Sequence, residues 1–430
     1  MERKLNKNQI EALQLIKDEQ DSVGPGFCVL KWYHQEMHLG TGRAHSCYHC
    51  PTHQIPLGAD LHNTPHKVEQ RATMLQGGKP SECSYCWEVE DLNLISDRQT
   101  LAVQFFKHNR DIVKEAKQAG LNYVYPKYLE ISFTNKCQMA CSYCGPVFST
   151  TWEKEIEKHG PYKLSEDYNL IHTPQIENSP YVAKFWKWFP QAYEHLFVLR
   201  VTGGEPLLDN NTYKLLEYVK TNPRKGLTFH CNSNLMVTEN RVQKYINLVK
   251  DIPNTKLYAS IDSWGKQAEY IRHGLDIEHF EENLIRLLAQ GIPVGIMCTY
   301  NFLSIHNISE FIFKMAELKT QFGDLLTVDM PYMVEPLHLS AQICDDSHIH
   351  IMEESLKEME LYPFTTGEIE KYRKTVGWIK ANRFKGDELV KHRKDFWAFV
   401  KEHDKRRGTN FKEAFPHLGM IGFNNETSNG

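Results

Sequence analysis

What this sequence lacks narrows it first. No stretch approaches about 18 consecutive apolar residues, which argues against a transmembrane helix. The amino-terminal MERKLNKNQIEALQLIKDEQ is charged and amphipathic. It has no uninterrupted apolar core and so does not read as a signal peptide. Ile10, Leu13 and Ile16 there share one side of an expected surface helix. Neither sign of charge dominates: 50 Lys and Arg against 54 Asp and Glu leave a formal net charge of −4, with no general drive toward nucleic acid or anionic membrane. There is no internal repeat and no extended low-complexity segment. The 430 residues, 41% hydrophobic, suffice for two or three domains.

What the chain does have is clustered cysteine. Eight of its 11 cysteines lie in the first 144 residues in short-spaced groups. Without a secretion signal, this reads as metal binding in a reducing, cytoplasmic compartment and not as a disulfide framework. The tightest group is Cys137, Cys141 and Cys144, spaced C-x3-C-x2-C just after the apolar run LEISF. Three thiolates hold three irons of a four-iron cluster and leave the fourth open to a substrate or cosubstrate. Zinc, the competing reading, usually takes four protein ligands.

Upstream lie two further pairs, Cys47/Cys50 and Cys83/Cys86, with Cys28 before them. A structural zinc ribbon is one reading, with His45, His49 and His53 as further candidate ligands, but the 32 residues between the pairs exceed the usual spacing. Cys231 and Cys298 end apolar runs and read as core or site-rim thiols.

Six short apolar runs follow one another at 129–133, 196–201, 227–231, 256–261, 292–298 and 325–330, with helical patterns between them. Such runs suit strands buried on both faces of a parallel sheet. The layout predicts an α/β fold: a partial (β/α)6 TIM-like barrel, open because six units are too few for eight. A strand at about 28–39, a helix at 66–76 and one helix over 97–120 are expected before it. The aromatic stretch at 181–193 is expected as core or lid packing. Residues 345–420 look helical and polar, and 424–430 read as a disordered tail. The expected segments are 1–26 (helix and linker), 27–96 (cysteine-rich module), 97–343 (barrel) and 344–430 (helical extension). Polar residues recur just after successive strands: the cysteine loop, Thr202–Pro206, Asn232–Asn234, Ser260 with Asp262, and Thr299 with Asn301. Sites in such sheets form at those ends.

These motifs together resemble the radical S-adenosylmethionine (SAM) superfamily: Cys137-x3-Cys141-x2-Cys144 with Tyr143 before the last cysteine, GGEP at 203–206, Asn232-Ser233-Asn234, and SIDS at 260–263 followed by YIRHG at 270–274. The upstream Cys28, Cys47, Cys50, Cys83 and Cys86 resemble the twitch form of the SPASM extension, here placed before the barrel. The resemblance implies a [4Fe-4S] cluster on Cys137, Cys141 and Cys144 whose open iron binds SAM. It implies reductive cleavage to a 5′-deoxyadenosyl radical that abstracts hydrogen from substrate, and an auxiliary iron–sulfur cluster on the upstream cysteines. It further implies SAM contacts from Tyr143, Gly203, Gly204, Glu205 (to the amino group), Asn232, Ser233 and Asn234 (to the ribose), and Ser260, Asp262 and Arg272 (near the carboxylate). A peptide or protein substrate is expected, a small molecule being the alternative. An electron donor such as flavodoxin or ferredoxin is expected, with no membrane or nucleic-acid partner. The reading from another class is a non-catalytic zinc-binding interaction module.

Overall fold

The computed structural model describes residues 7–92, 94–165, 175–176, 178–416 and 418. The expected tail at 424–430 lies outside them. Contacts divide the chain into two units, one of Met1–Thr134, Pro174–Gly203 and Pro223–His230, the other of Asn135–Thr173, Gly204–Asn222 and Cys231–Gly430.

In the first unit, strands β1 (His34–His38), β2 (Arg43–His45) and β3 (His53–Gln54) form an antiparallel meander. Strand β4 (Tyr128–Ser132) pairs in parallel with β1, and β6 (Val198–Thr202) pairs in parallel with β4; β5 belongs to the second unit. The cysteine-rich stretch thus shares a sheet with the first barrel strands. The register sets Glu36 beside Glu130, Glu130 beside Arg200, and Glu36 opposite His45. The other face is apolar, with Met37, Leu129, Ile131, Leu199 and Val201 buried.

Two expectations need correction here. The strand placed at about 28–39 starts only at His34, because Leu30–Tyr33 are a helical turn. FCVLKWY is buried all round, with Phe27, Val29 and Trp32 fully enclosed. A run without alternation cannot be told from helix by periodicity. The single helix at 97–120 is two, Asp97–His108 and Ile112–Ala119. Asn109 is extended, and its side-chain oxygen accepts from the Asp111 N–H (3.0 Å), a local bond that competes with the helix. The helix at Pro65–Leu75 stands as expected. In the helix Pro180–Tyr193, Phe185 and Phe189 are buried, and Phe185 meets Phe133 edge-on at 5.5 Å, so these rings pack the core.

In the second unit, the ribbon β5 (Ala140–Cys141) pairs antiparallel with β9 (Arg272–His273), setting Cys141 opposite Arg272. Strands β8 (Thr255–Ser260), β10 (Val294–Met297) and β11 (Leu326–Asp329) are parallel, with β10 in the middle. Strand β7 (Thr228–Ser233) gives its first three residues to the first unit and its last three to the second. All six barrel strands fall within two residues of their expected ends. Helices at Asn210–Thr221, Glu239–Val249, Ile277–Ala289 and Ile308–Phe322 alternate with them, as βαβ units require. Three long helices, Asp346–Glu360, Thr366–Ala381 and Gly386–Arg407, make the expected polar extension. Among the described residues no helix is long and apolar enough to cross a membrane.

Candidate active site

The cysteine loop is held from several sides. The helix Thr150–His159 closes over it: the Thr150 and Thr151 hydroxyls donate to the Cys137 carbonyl (3.0 and 2.8 Å), and the Trp152 indole donates to the Cys141 carbonyl (2.8 Å). Asn135 spans the loop by donating to the Pro146 carbonyl (3.0 Å). From later in the chain, the Ile271 carbonyl accepts from the Ser142 N–H (2.7 Å) and hydroxyl (2.9 Å). The Arg407 guanidinium donates to the Ala140 carbonyl (2.7 Å).

Two sulfurs have side-chain donors. Asn234 Nδ2 lies 3.6 Å from Cys137 Sγ, and Arg272 Nη1 lies 3.7 Å from Cys141 Sγ. Burial pushes the Cys137 and Cys144 thiols up to about 12 and raises Cys141. Such thiols keep their protons until a metal takes their place, so loading releases protons. Three thiols on one loop, two with N–H donors at sulfur, fit a three-thiolate cluster, and among the described residues no fourth protein ligand of a closed zinc site joins them.

Arg272 is already engaged within the chain. It is buried and ion-paired with the fully buried Asp262 (Nε–Oδ2 2.8 Å), and its Nη2 donates to Asp262 Oδ1 (3.1 Å) and to the Tyr143 hydroxyl. Asp262 also accepts from the Tyr143 hydroxyl (2.8 Å) and the Thr299 N–H (2.8 Å). The three side chains fasten the cysteine loop to the ends of β8 and β10.

Glycines 203 and 204 serve a close approach of chain to chain. Gly203 has φ +115°, and a Cβ there would stand 2.3 Å from Ser132 Oγ; one on Gly204 would stand 2.4 Å from the Lys136 carbonyl oxygen. The Glu205 N–H donates to that same carbonyl (2.7 Å). The Glu205 carboxylate is braced by its own chain. Oε1 accepts from the Leu207 N–H (2.9 Å) and Ser233 hydroxyl (2.8 Å), and Oε2 from the Asn234 N–H (2.6 Å). One lone pair of Oε2 remains after these three bonds. Ser233 is thus spent on Glu205, and Asn234 on Cys137, Gln138 and its own turn. Asn232 and Ser260 are half-buried at the ends of β7 and β8.

Burial pushes Glu205 up to about 7, while its three donors pull it down. The folded carboxyl keeps a proton where the unfolded one, near 4.3, has lost it. Stability is therefore expected to fall by about 3 kcal/mol as pH rises from roughly 4.5 to 7, then level off. Glu205→Gln should flatten that slope, read from urea unfolding of the metal-free chain at several pH values.

The upstream thiols also converge. Cys47 Sγ lies 3.6 Å from Cys50 Sγ, and Cys50 Sγ lies 3.9 Å from Cys83 Sγ. Cys28, Cys47, Cys83 and Cys86 share one core cluster with Phe27, Trp32 and Trp87. All five thiols are free of disulfides. Of the candidate histidines, His49 binds Asp97 (2.7 Å) and His53 binds Thr64 (3.0 Å), while His45 Nδ1 bonds the Cys47 carbonyl (2.8 Å); none is a ligand of the thiol group here. Sequence reasoning passed over Lys31 and Glu82. The buried Lys31 ammonium donates to Cys50 Sγ (3.8 Å) and to Glu82. Burial alone would lower its pKa, but the charges of Cys50, Cys83 and Glu82 raise it. Glu82 with Cys50 and Cys83 brings three ligand atoms within 4.8 Å. A lone lysine inside FCVLKWY was the available signal.

Residues 131–313 match the family model described as Radical SAM superfamily. The matched region, less than half of the chain, is similar to the radical SAM superfamily and leaves out the upstream cysteines. Among curated relatives, the "Probable GTP 3′,8-cyclase" of Methanococcus maripaludis is 24% identical over 217 residues, 46% of this chain and 64% of that protein. The GTP 3′,8-cyclase of Staphylococcus epidermidis is 33% identical over 89 residues, 21% of this chain and 22% of that one. The chain thus covers less than two thirds of these relatives. Among solved structures, Streptococcus suis SuiB bound to S-adenosylmethionine is 13% identical, covering 69% of this chain and 71% of that one at a TM-score of 0.33.

Proposed function

We propose that this radical SAM enzyme carries its SAM cluster on Cys137, Cys141 and Cys144 and a second iron–sulfur centre on four of Cys28, Cys47, Cys50, Cys83 and Cys86. The observation that carries the first assignment is the pair of donors on sulfur, Asn234 on Cys137 and Arg272 on Cys141. The chemistry supplied by the bound cluster and SAM is reductive cleavage to methionine and a 5′-deoxyadenosyl group that abstracts hydrogen from substrate. The chain's own residues position the reactants. Asn234 and Arg272 stabilise thiolate charge. The open lone pair of Glu205 Oε2 accepts from the SAM ammonium, Asn232 binds the ribose, and Ser260 receives the carboxylate, since Arg272 is committed to Asp262. Lys31 sets a positive charge beside Cys50, suited to an anionic cluster.

The substrate class assigned is a peptide or protein, with an electron donor of flavodoxin or ferredoxin type. The cyclase relatives favour a second reading, a small molecule.

Anaerobic reconstitution should give about eight irons per chain with matching sulfide and absorbance near 400 nm, as two four-iron clusters require. Zinc alone at the upstream cysteines would remove the second centre. Changing Cys137, Cys141 and Cys144 to Ala should abolish 5′-deoxyadenosine formation from SAM under reductant; its persistence would refute the first assignment.

A further inference from the structure

Three basic residues, Lys405, Arg406 and Arg407, end the last long helix, where the helix dipole favours positive charge whether or not it touches anything. Lys405 fits that bland role, its side chain 76% exposed. Arg406 and Arg407 do not, with side chains 3% and 1% exposed. Buried charges need partners, and each arginine has its own set.

Arg407 reaches the surroundings of Cys141 on two sides. Its Nη1 donates to the Ala140 carbonyl (2.7 Å), and Nε and Nη2 donate to the two oxygens of Glu155 (2.8 and 3.4 Å). Its Cζ lies 4.6 Å over the ring of Trp152, whose indole donates to the Cys141 carbonyl. The carbonyls before and after the Cys141 Cα are thus held by Arg407 and by the ring that Arg407 covers. Arg406 turns instead to the far end of the helix Thr150–His159. It donates to the Gly160 carbonyl (2.8 Å) and to Glu402 (2.8 Å), and covers Tyr162 at 4.1 Å. Glu155 balances Arg407 and Glu402 balances Arg406, so Arg407 brings the loop position more than charge.

The same helix end also seats on the other strand of the ribbon. His403 is fully buried, stacks on Tyr270 at 4.4 Å and stands edge-on to His273 at 6.3 Å. Past the helix, Phe411 and Phe415 meet Tyr270 edge-on at 5.6 and 5.5 Å. Asp404 ties that turn back, accepting from the Thr409 hydroxyl (2.7 Å) and the Phe411 N–H (2.9 Å). Tyr270 leads through Ile271 into Arg272. One helix end therefore holds β5 and the approach to β9, the two strands that set Cys141 opposite Arg272. That ribbon has two residues on each side. A two-stranded pair is marginal on its own, so its alignment depends on what packs around it.

We propose that the carboxyl-terminal helix is a clamp on this ribbon, with Arg407 as the positioning residue for Cys141. The extension is then a working part of the cluster site and not an appendage. The clamp's role rests on the reading of Cys137, Cys141 and Cys144 as cluster ligands, but its first test needs no cluster.

Hydrogen-exchange mass spectrometry of the metal-free, full-length chain reads the clamp directly. Arg407→Gln is expected to speed exchange at least about tenfold in peptides spanning 138–145 and 270–275, as loss of a charge-assisted bond implies, while peptides from β1 and β4 keep their wild-type rates. Arg407→Lys keeps a charge for Glu155 and so keeps the fold. One ammonium does not replace the planar fork that joins Glu155 to the Ala140 carbonyl, so this variant should speed the same peptides. Arg406→Gln, a change at a comparably buried neighbour, should speed exchange only around 155–162. After reconstitution, the EPR signal that responds to added SAM should shift its g-values in both Arg407 variants and not in Arg406→Gln. Unchanged exchange at 138–145 in a folded Arg407 variant, an equal rise there in Arg406→Gln, or identical g-values in all three variants overturns the clamp. The exchange contrast in a chain whose wild type forms no 5′-deoxyadenosine from SAM under reductant would refute the cluster reading and leave the clamp on the ribbon standing.

Discussion

Asp262→Ala is expected to destabilise the chain by about 3–5 kcal/mol and to abolish SAM cleavage. The substitution removes the only carboxylate ion-paired with Arg272 among the described residues and leaves a buried guanidinium without its counter-charge. Breaking one side of a buried pair carries a penalty of that size because the remaining charge stays desolvated. The Thr299 N–H and the Tyr143 hydroxyl lose their acceptor at the same time. Chemical denaturation of the metal-free chain reads the stability, and iron content after reconstitution reads the loop. Replacing both partners, Asp262→Leu with Arg272→Met, should recover most of the stability, since an apolar pair of similar volume carries no desolvation penalty. It should not recover full activity, because Cys141 still lacks its donor. A double variant as unstable as Asp262→Ala would show that the pair is not what sets the stability.

Gly204→Ala is expected to lower 5′-deoxyadenosine formation more than tenfold with a modest loss of stability. The added Cβ would stand 2.4 Å from the Lys136 carbonyl oxygen and 2.6 Å from the Asn135 carbonyl carbon. Both are backbone atoms, so no side chain can swing away. Overpacking of this kind costs about 1–3 kcal/mol. The displaced backbone leads directly into Cys137, and the bond from the Glu205 N–H to Lys136 must lengthen. Iron per chain and product yield, compared with Gly58→Ala where a Cβ meets nothing within 4 Å, separate local strain from a general glycine effect.

The parts of the site that sequence made legible were those with fixed spacing or a fixed place. The cysteine loop, the GGEP turn and the polar strand ends all follow strands found within two residues of their expected bounds. What stayed hidden was partnership. Arg272 looked available for a carboxylate ligand, but Asp262, ten residues before it, already holds it. Glu205 looked open to an amino group, but three donors from its own chain occupy most of its lone pairs. Gly203 and Gly204, read as room for a cofactor, also admit the chain that leads into the cysteine loop. The row His45–Glu36–Glu130–Arg200 was invisible because it depends on the register of four strands drawn from separate parts of the sequence. The helical turn at Leu30–Tyr33 escaped because complete burial erases the periodicity that distinguishes helix from strand.

The two-residue ribbon that sets Cys141 opposite Arg272 joins positions 131 residues apart. At a synthesis rate of about 5–20 residues per second, the three thiols leave the ribosome roughly 7–26 s before the arginine that serves Cys141. The Ile271 carbonyl that anchors Ser142 arrives equally late, and Arg407 later still. Throughout that interval the loop has its local bonds from Asn135 and the helix Thr150–His159 but not those from Ile271, Arg272 and Arg407. On the proposed assignment, a nascent polypeptide halted before residue 271 should load iron poorly even with Cys137, Cys141 and Cys144 already made.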